Sequence, residues 1–206
     1  KISEWIRDLD LPRRLRASWM SFHDDEMLNA GGVELLDQLA DEQQKENVMS
    51  LWVDEYAQRA RAFQTASIAR ALNGNWLLFG DALRTVRLPV SEMIPQISND
   101  VVGYSDRGTD RYIYLARNHA VLKPERSGNA SGVRLFDASA PLKSWHINAN
   151  GSATLLFEPR GDLTLKVPAS CKLSVDGASL TARRENSHTV YIIPERNASG
   201  EFNLAC

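Results

Sequence analysis

The feature that most constrains this chain is a change of character at Asn73-Gly74. Ahead of it, apolar runs alternate with helix-spaced patterns; behind it, nearly every segment is short, rich in strand formers and bounded by turn residues. One packing layer does not accommodate both patterns, so the sequence predicts an α+β chain with two parts, residues 1–73 and residues 74–206.

In the first part, residues 14–22 are aromatic and apolar and lead into the polar turn His23-Asp24-Asp25-Glu26. Gly31-Gly32 precede a helix expected over residues 33–47, with Val33, Leu36, Leu39 and Ala40 on one face. Residues 48–53 form a compact apolar run of the kind buried in parallel sheets. Asp54 is placed to cap the next helix, Glu55 suits its first turn, and Tyr56, Ala60 and Phe63 mark its apolar stripe. Asn73-Gly74 is the expected stop of that helix. The order strand, helix, strand, helix calls for parallel strands with crossover helices. Two such strands alone leave open edges and an uncovered face. The βαβα segment is therefore expected to be the end of a larger α/β barrel continuing upstream, or a sheet covered by the later strands or by a second chain.

Beyond residue 74 the pattern gives about ten candidate strands: residues 76–79, 84–88, 101–104, 111–116, 132–136, 144–148, 153–158, 162–167, 172–175 and 188–194, with weaker ones at 179–183 and 201–205. Asp176-Gly177 is a hairpin-turn signal, and Arg107-Gly108 and Asn150-Gly151 are similar turns. Short strands at this spacing, with no repeat of blade length, predict an antiparallel β-sandwich or jelly roll.

Charge narrows the partners. The 206 residues carry 24 Lys plus Arg against 26 Asp plus Glu, a formal charge of −2 with no basic run, so nothing predicts a nucleic-acid footprint. No apolar stretch is long enough to span a membrane. The N-terminal Lys1-Ile2-Ser3-Glu4-Trp5 has neither an initiator Met nor a signal-peptide pattern and reads as an internal start. A Gly-rich phosphate loop, a Cys-x-x-Cys pair and a His-Glu-x-x-His motif are all absent, and the four His lie outside metal-ligand spacing of one another. His119, His146 and His188 read as polar residues of strands and turns. Asn129, Asn150 and Asn197 open Asn-X-Ser sequons in turn-like surroundings.

Phe22-His23-Asp24 is different, because it stands where a parallel strand is expected to end, and α/β barrels gather their catalytic groups at that edge. A His there can move a proton near neutral pH, and Asp24 can hold its tautomer. Asp54 and Glu55 end the next expected strand and would face the same mouth. Trp19 and Trp52 lie on the two expected strands, where core packing competes with sugar stacking as their role. Cys171 and Cys206 either pair, for a stabilisation of at most roughly 4 kcal/mol, or stay as two buried thiols.

The stretch from Trp52 through Val53, Asp54, Glu55 and Tyr56 to Phe63, with Ala69-Arg70, Asn75-Trp76 and Ala82 to Pro89, resembles the end of a polysaccharide deacetylase barrel and its junction with a β-domain. The nearest family is the Pel-type exopolysaccharide hydrolase/deacetylase of bacterial biofilm producers. Gly103-Tyr104 and Arg111 to Leu115 are similar to the opening strands of that family's C-terminal β-sandwich.

The resemblance implies a periplasmic or secreted, metal-dependent polysaccharide deacetylase. In it a late-strand His is general acid to the leaving sugar amine, and His23 is the only residue that the resemblance carries over; Asp24, Asp54 and Trp19, placed on the same expected strands and their ends, are the candidate substrate contacts. The Asp-Asp pair and the His-x-x-x-His motif that hold the metal early in the family's barrel have no counterpart in this sequence, so the divalent metal belongs to the complete enzyme and this chain alone is expected to be inactive. A periplasmic setting implies a Cys171–Cys206 disulfide. The partners implied are a polysaccharide and either the upstream part of the same polypeptide or a secretion-complex protein. The alternative is a non-catalytic module that binds glycan or a secretion partner.

Overall fold

In the computed structural model, the described residues are 30–45, 52–81, 84–125, 132–159, 161–176, 178–185, 187–194 and 197–206. The chain divides into two units, Lys1–Tyr56 and Ala57–Cys206.

The first unit contains α1 (Ala30–Lys45) and the opening of α2 (Val53–Thr65). Gly31 and Gly32 lie inside α1 and not ahead of it. At a helix end the entropic cost of glycine is small, since the first-turn amides make no intrahelical bond in any case. Leu36 and Leu39 are half-buried, as their spacing predicts, whereas Val33 is exposed. The strand expected over 14–22 falls outside the described residues, as do residues 48–51 of the second one. The two described residues of that run are not strand: Trp52 precedes α2 and Val53 begins it. The cap also differs from expectation. The Glu55 carboxylate accepts the Trp52 amide at 2.8 Å while the Tyr56 amide donates to the Trp52 carbonyl at 3.0 Å. Glu55 thus makes half of a capping box, and Asp54 sits inside the first turn.

In the second unit α2 stops at Thr65, eight residues before Asn73. The Thr65 hydroxyl bonds back to the Ala62 carbonyl at 3.1 Å, and the chain then runs as β1 (Ser67–Arg70) antiparallel to β2 (Trp76–Phe79). Asn73-Gly74 is therefore a hairpin turn. Gly74 has φ +83°, the Asn73 side chain accepts the Asn75 amide, and Ala71 and Asn75 close the end of the ladder. Pairing Ile68 with Leu78 and Arg70 with Trp76 across the hairpin outweighs the helical continuation that local spacing favours.

The strands that follow are β3 (Thr85–Pro89), β4 (Val101–Arg107), β5 (Asp110–Leu115), β6 (Ala120–Leu122), β7 (Asp137–Ala138), β8 (Leu142–Ile147), β9 (Ala153–Phe157), β10 (Leu163–Pro168), β11 (Lys172–Val175), β12 (Ala178–Ser179), β13 (Ala182–Glu185), β14 (His188–Ile193) and β15 (Phe202–Ala205). They form four sheets, in the orders β1-β2-β6, β3-β5-β4, β13-β14-β10-β7 and β12-β11-β15-β9-β8, with every ladder antiparallel. The chain is thus α+β; among the described residues there are two α-helices and none after Thr65.

The four- and five-stranded sheets meet face to face in the manner of a β-sandwich. Leu163, Leu165 and Val167 of β10 and Tyr191 and Ile193 of β14 join Leu155 and Phe157 of β9, Leu173 of β11 and Phe202 and Leu204 of β15 in one apolar core. The period-2 burial of β9 and β10 puts every second side chain there, and each Leu, Val or Phe among them is worth about 1.5–3 kcal/mol when fully buried. A second, smaller core holds Leu78, Val86, Val101, Ile113, Leu115 and Leu122 from the other two sheets, and Ile97 packs against both cores. β4 joins the cores through a bulge between Val101 and Gly103. Because of the extra residue, Val102 enters the large core while Val101 and Tyr104 serve the small one.

The strand expected over 132–136 is replaced by a bridging segment. Leu135 pairs with Gly103 in an isolated parallel bridge, and the Phe136 amide then bonds the Lys166 carbonyl on β10. The approach at Gly103 is so close that a Cβ there would lie 1.9 Å from the Leu135 carbonyl oxygen.

Candidate functional site

The bridging segment carries Arg134 and Phe136 to the junction of the two cores, where they alternate with the buried Val133 and Leu135 of the same segment. β4 brings Tyr104, β5 brings Arg111 and β14 brings His188.

Arg111 is only 6% exposed, yet each of its donor groups has an acceptor. Its Nε and Nη2 donate to the two carboxylate oxygens of Asp106 at 2.7 Å each, and its Nη1 donates to the carbonyls of Val90 and Met93. The Asp106 hydrogen bond is the main reason its pKa is raised above the ordinary guanidinium value; burial acts in the opposite sense and loses.

The Arg111 guanidinium lies 4.8 Å from the Tyr104 ring centroid, and the Arg134 guanidinium lies 4.7 Å from the same centroid. Arg134 also stacks on Phe136 at 4.8 Å and donates from Nη1 to the Tyr104 hydroxyl. Two aromatic rings and one hydrogen bond therefore hold this guanidinium. Phe136 in turn meets the His188 ring edge-on, with centroids 6.4 Å apart. His188 Nε2 lies 3.1 Å from a Glu185 carboxylate oxygen, and the other Glu185 oxygen is paired with Arg183. That Arg183 hydrogen bond is the first cause holding the Glu185 carboxyl below its ordinary value.

Along this run of alternating cations and rings, Asp106 neutralises Arg111 and Glu185 neutralises Arg183. Arg134 has no carboxylate partner among the described residues, and its buried Nε has no hydrogen-bond partner. What this arrangement supplies is a cation held against aromatic rings.

The residues singled out in the sequence fall elsewhere. His23, Asp24 and Trp19 lie outside the described residues. Asp54 is exposed in the first turn of α2, and Trp52, expected in a core, is 68% exposed because it occupies the capping position of that helix. Cys171 and Cys206 form a disulfide, which closes the alternative of two thiols. They extend the β11–β15 pairing by one step beyond Lys172 and Ala205, so the bond fastens the last strand at its end. Among the described residues no group of His, Cys, Asp and Glu side chains is arranged to hold a metal ion, so the metal implied by the resemblance finds no donor set there. Among them, too, no helix is long and apolar enough to cross a membrane.

Sequence reasoning missed Arg134 and Phe136 because it took 132–136 as an ordinary strand. The available signal was one cationic and one aromatic residue on the polar side of an otherwise alternating segment. Comparison with protein-family models, curated proteins and solved structures finds no match to this chain.

Proposed function

We propose that this chain is the C-terminal portion of an exported exopolysaccharide deacetylase and that its β-domain is a non-catalytic glycan-binding module. The observation that supports the binding role is the half-buried Arg134–Phe136 pair, held against the buried Tyr104 at the junction of the two cores. Sugars are recognised by such pairs because C–H faces pack on rings while hydroxyl and charged substituents meet a fixed donor. The export reading is supported by the Cys171–Cys206 bond, since disulfides persist in oxidising compartments. The deacetylase reading rests on the resemblance, with His23 as general acid and Asp24, Asp54 and Trp19 as substrate contacts at the end of an α/β barrel. The divalent metal is then supplied by the complete enzyme, not by this chain.

The binding role is tested by affinity electrophoresis in gels containing chitosan, glycol chitin, polygalacturonate or dextran. Retardation by at least one charged or amino-sugar polymer is expected, and Phe136→Ala should weaken it several-fold by releasing one side of the stack. Migration unaltered by all four polymers would overturn the glycan-binding role.

A further inference from the structure

We infer that the outer face of the five-stranded sheet is a track for an extended, uncharged polysaccharide, read by one polar side chain from each of four adjacent strands. The inference rests on the glycan-binding reading of the β-domain and gives it a second surface and a ligand class.

Strand register places the four residues. His146 of β8 pairs with Thr154 of β9, Thr154 with Asn203 of β15, and Asn203 with Ser174 of β11. Directly paired residues of antiparallel strands share a face, so the four stand in one line across the sheet. Their chain neighbours Trp145, Leu155, Leu204 and Leu173 turn into the large core, and the line therefore lies on the opposite, solvent side. His146 and Asn203 are exposed and Thr154 and Ser174 half-buried, so a ligand reaches the line from bulk solvent.

Chemistry and spacing point to a glycan. Each of the four brings a hydroxyl, an amide or a ring nitrogen, groups that pair with sugar hydroxyls and acetamides. The Asn148 amide donates to the Thr154 hydroxyl at 3.1 Å, which leaves the Thr154 proton to donate outward. Neighbouring strands lie about 4.8 Å apart, so the line runs for about 14 Å. A sugar ring in an extended chain covers nearly the distance of one strand step, and successive rings then meet successive side chains. Leu156 and Ala205, outward on the two sides of the line, offer apolar surface to the C–H faces.

Charge selects the occupant. Lys143 and Lys172 are the only Lys, Arg, Asp or Glu residues of these four strands; Lys143 is paired with Glu158, and neither stands in the line. The strands of the four-stranded sheet, by contrast, carry Lys166, Asp137, Arg183 and Glu185. A charged polymer on the line would lose hydration without gaining a counter-ion, whereas a neutral one exchanges hydrogen bonds to water for bonds to these groups. A protein partner would need an aromatic or apolar anchor, and the line has none.

The test follows affinity electrophoresis and the Asn203 side-chain amide NMR resonances during titration with glycol chitin, dextran, chitosan and polygalacturonate. Glycol chitin, neutral and extended, is expected to retard the protein most and to shift those resonances. Asn203→Ala should weaken its binding about 2- to 10-fold, the effect of one lost neutral hydrogen bond. Adding Ser174→Ala should weaken it further, while Thr164→Val, a change on β10, should not.

An Asn203 amide unmoved at saturation with glycol chitin, or equal weakening by Thr164→Val, overturns the track and leaves glycan binding in place. The resonance needs no substitution, so a variant that fails to fold does not weaken the test. Tighter binding of chitosan or polygalacturonate overturns the uncharged ligand, and dextran bound as tightly as glycol chitin overturns the extended one. If no polymer binds, the track and the glycan-binding role both fall.

Discussion

The two cores of the second unit are built by different means. In the larger one, β9 and β10 alternate strictly between buried and half-buried positions, and both inner faces are covered by an opposing sheet. Phe157 and Phe202 meet edge to face at 5.9 Å near its centre, and the Cys171–Cys206 bond fastens its last strand. The smaller core has a rim that is partly polar. Its outermost strand, β1, is exposed along its whole length, leaving Ile68 49% and Phe79 of β2 47% exposed, and Arg111 and Tyr104 close its other side. The comparison teaches where polar groups enter the interior. A sheet face that is fully opposed turns apolar side chains inward; at the junction, where the bridging segment changes partners, cations and rings pack against one another.

The largest expected effect lies in the larger core. Phe202→Ala removes a fully buried ring and its contact with Phe157, and should cost about 3–5 kcal/mol. Ile68→Ala, at a half-exposed position of β1, should cost under about 1 kcal/mol by the same urea denaturation. Equal losses would break the comparison, because they would mean that β1 is as tightly covered as the sandwich interior.

Next comes the disulfide. Changing both Cys171 and Cys206 to Ser should destabilise the domain by at most about 4 kcal/mol. Hydrogen exchange sharpens the contrast: the amides of β11 and β15 should exchange faster, while those of β2 and β5 keep their protection. Uniform loss of protection would show that the two cores unfold as one.

A smaller effect is expected where the cores join. Gly103→Ala places a methyl group against the Leu135 carbonyl, where only backbone movement makes room, and should cost about 1–3 kcal/mol. Because Leu135 and Val102 belong to the large core and Val101 and Tyr104 to the small one, the strain should shift NMR signals in both. Shifts confined to one core would show that the bulged strand does not couple them.

Much of the β-region is legible in the sequence. Residues 172–175 form a strand with the expected bounds, and the turns at Gly108 and Gly151 carry positive φ, as does Asp176. β10 follows from its alternation, and β9 and β14 from runs of strand-forming residues. The end of α2 was not legible, because Thr65, Ser67 and Ile68 fit a helix-spaced pattern until a strand pairs with them. The turn residues at Asn73-Gly74 were visible, but a helix stop and a hairpin turn demand the same left-handed glycine. The cation–ring cluster was not legible at all, since Arg111, Tyr104, Arg134, Phe136 and His188 come from four separate segments.

The sequence by itself determined the strand-rich second part, its turns and the pattern of inward apolar residues, because these depend on backbone preferences and a two-residue period that act locally. Only the tertiary structure decided that Cys171 meets Cys206, that Val102 turns into one core while its neighbours serve the other, and that Arg134 stands between two rings with its fork unpaired. Those outcomes require residues far apart in the chain to be brought into register, and pairing between strands, unlike the conformation of one strand, is fixed by packing that no local pattern encodes.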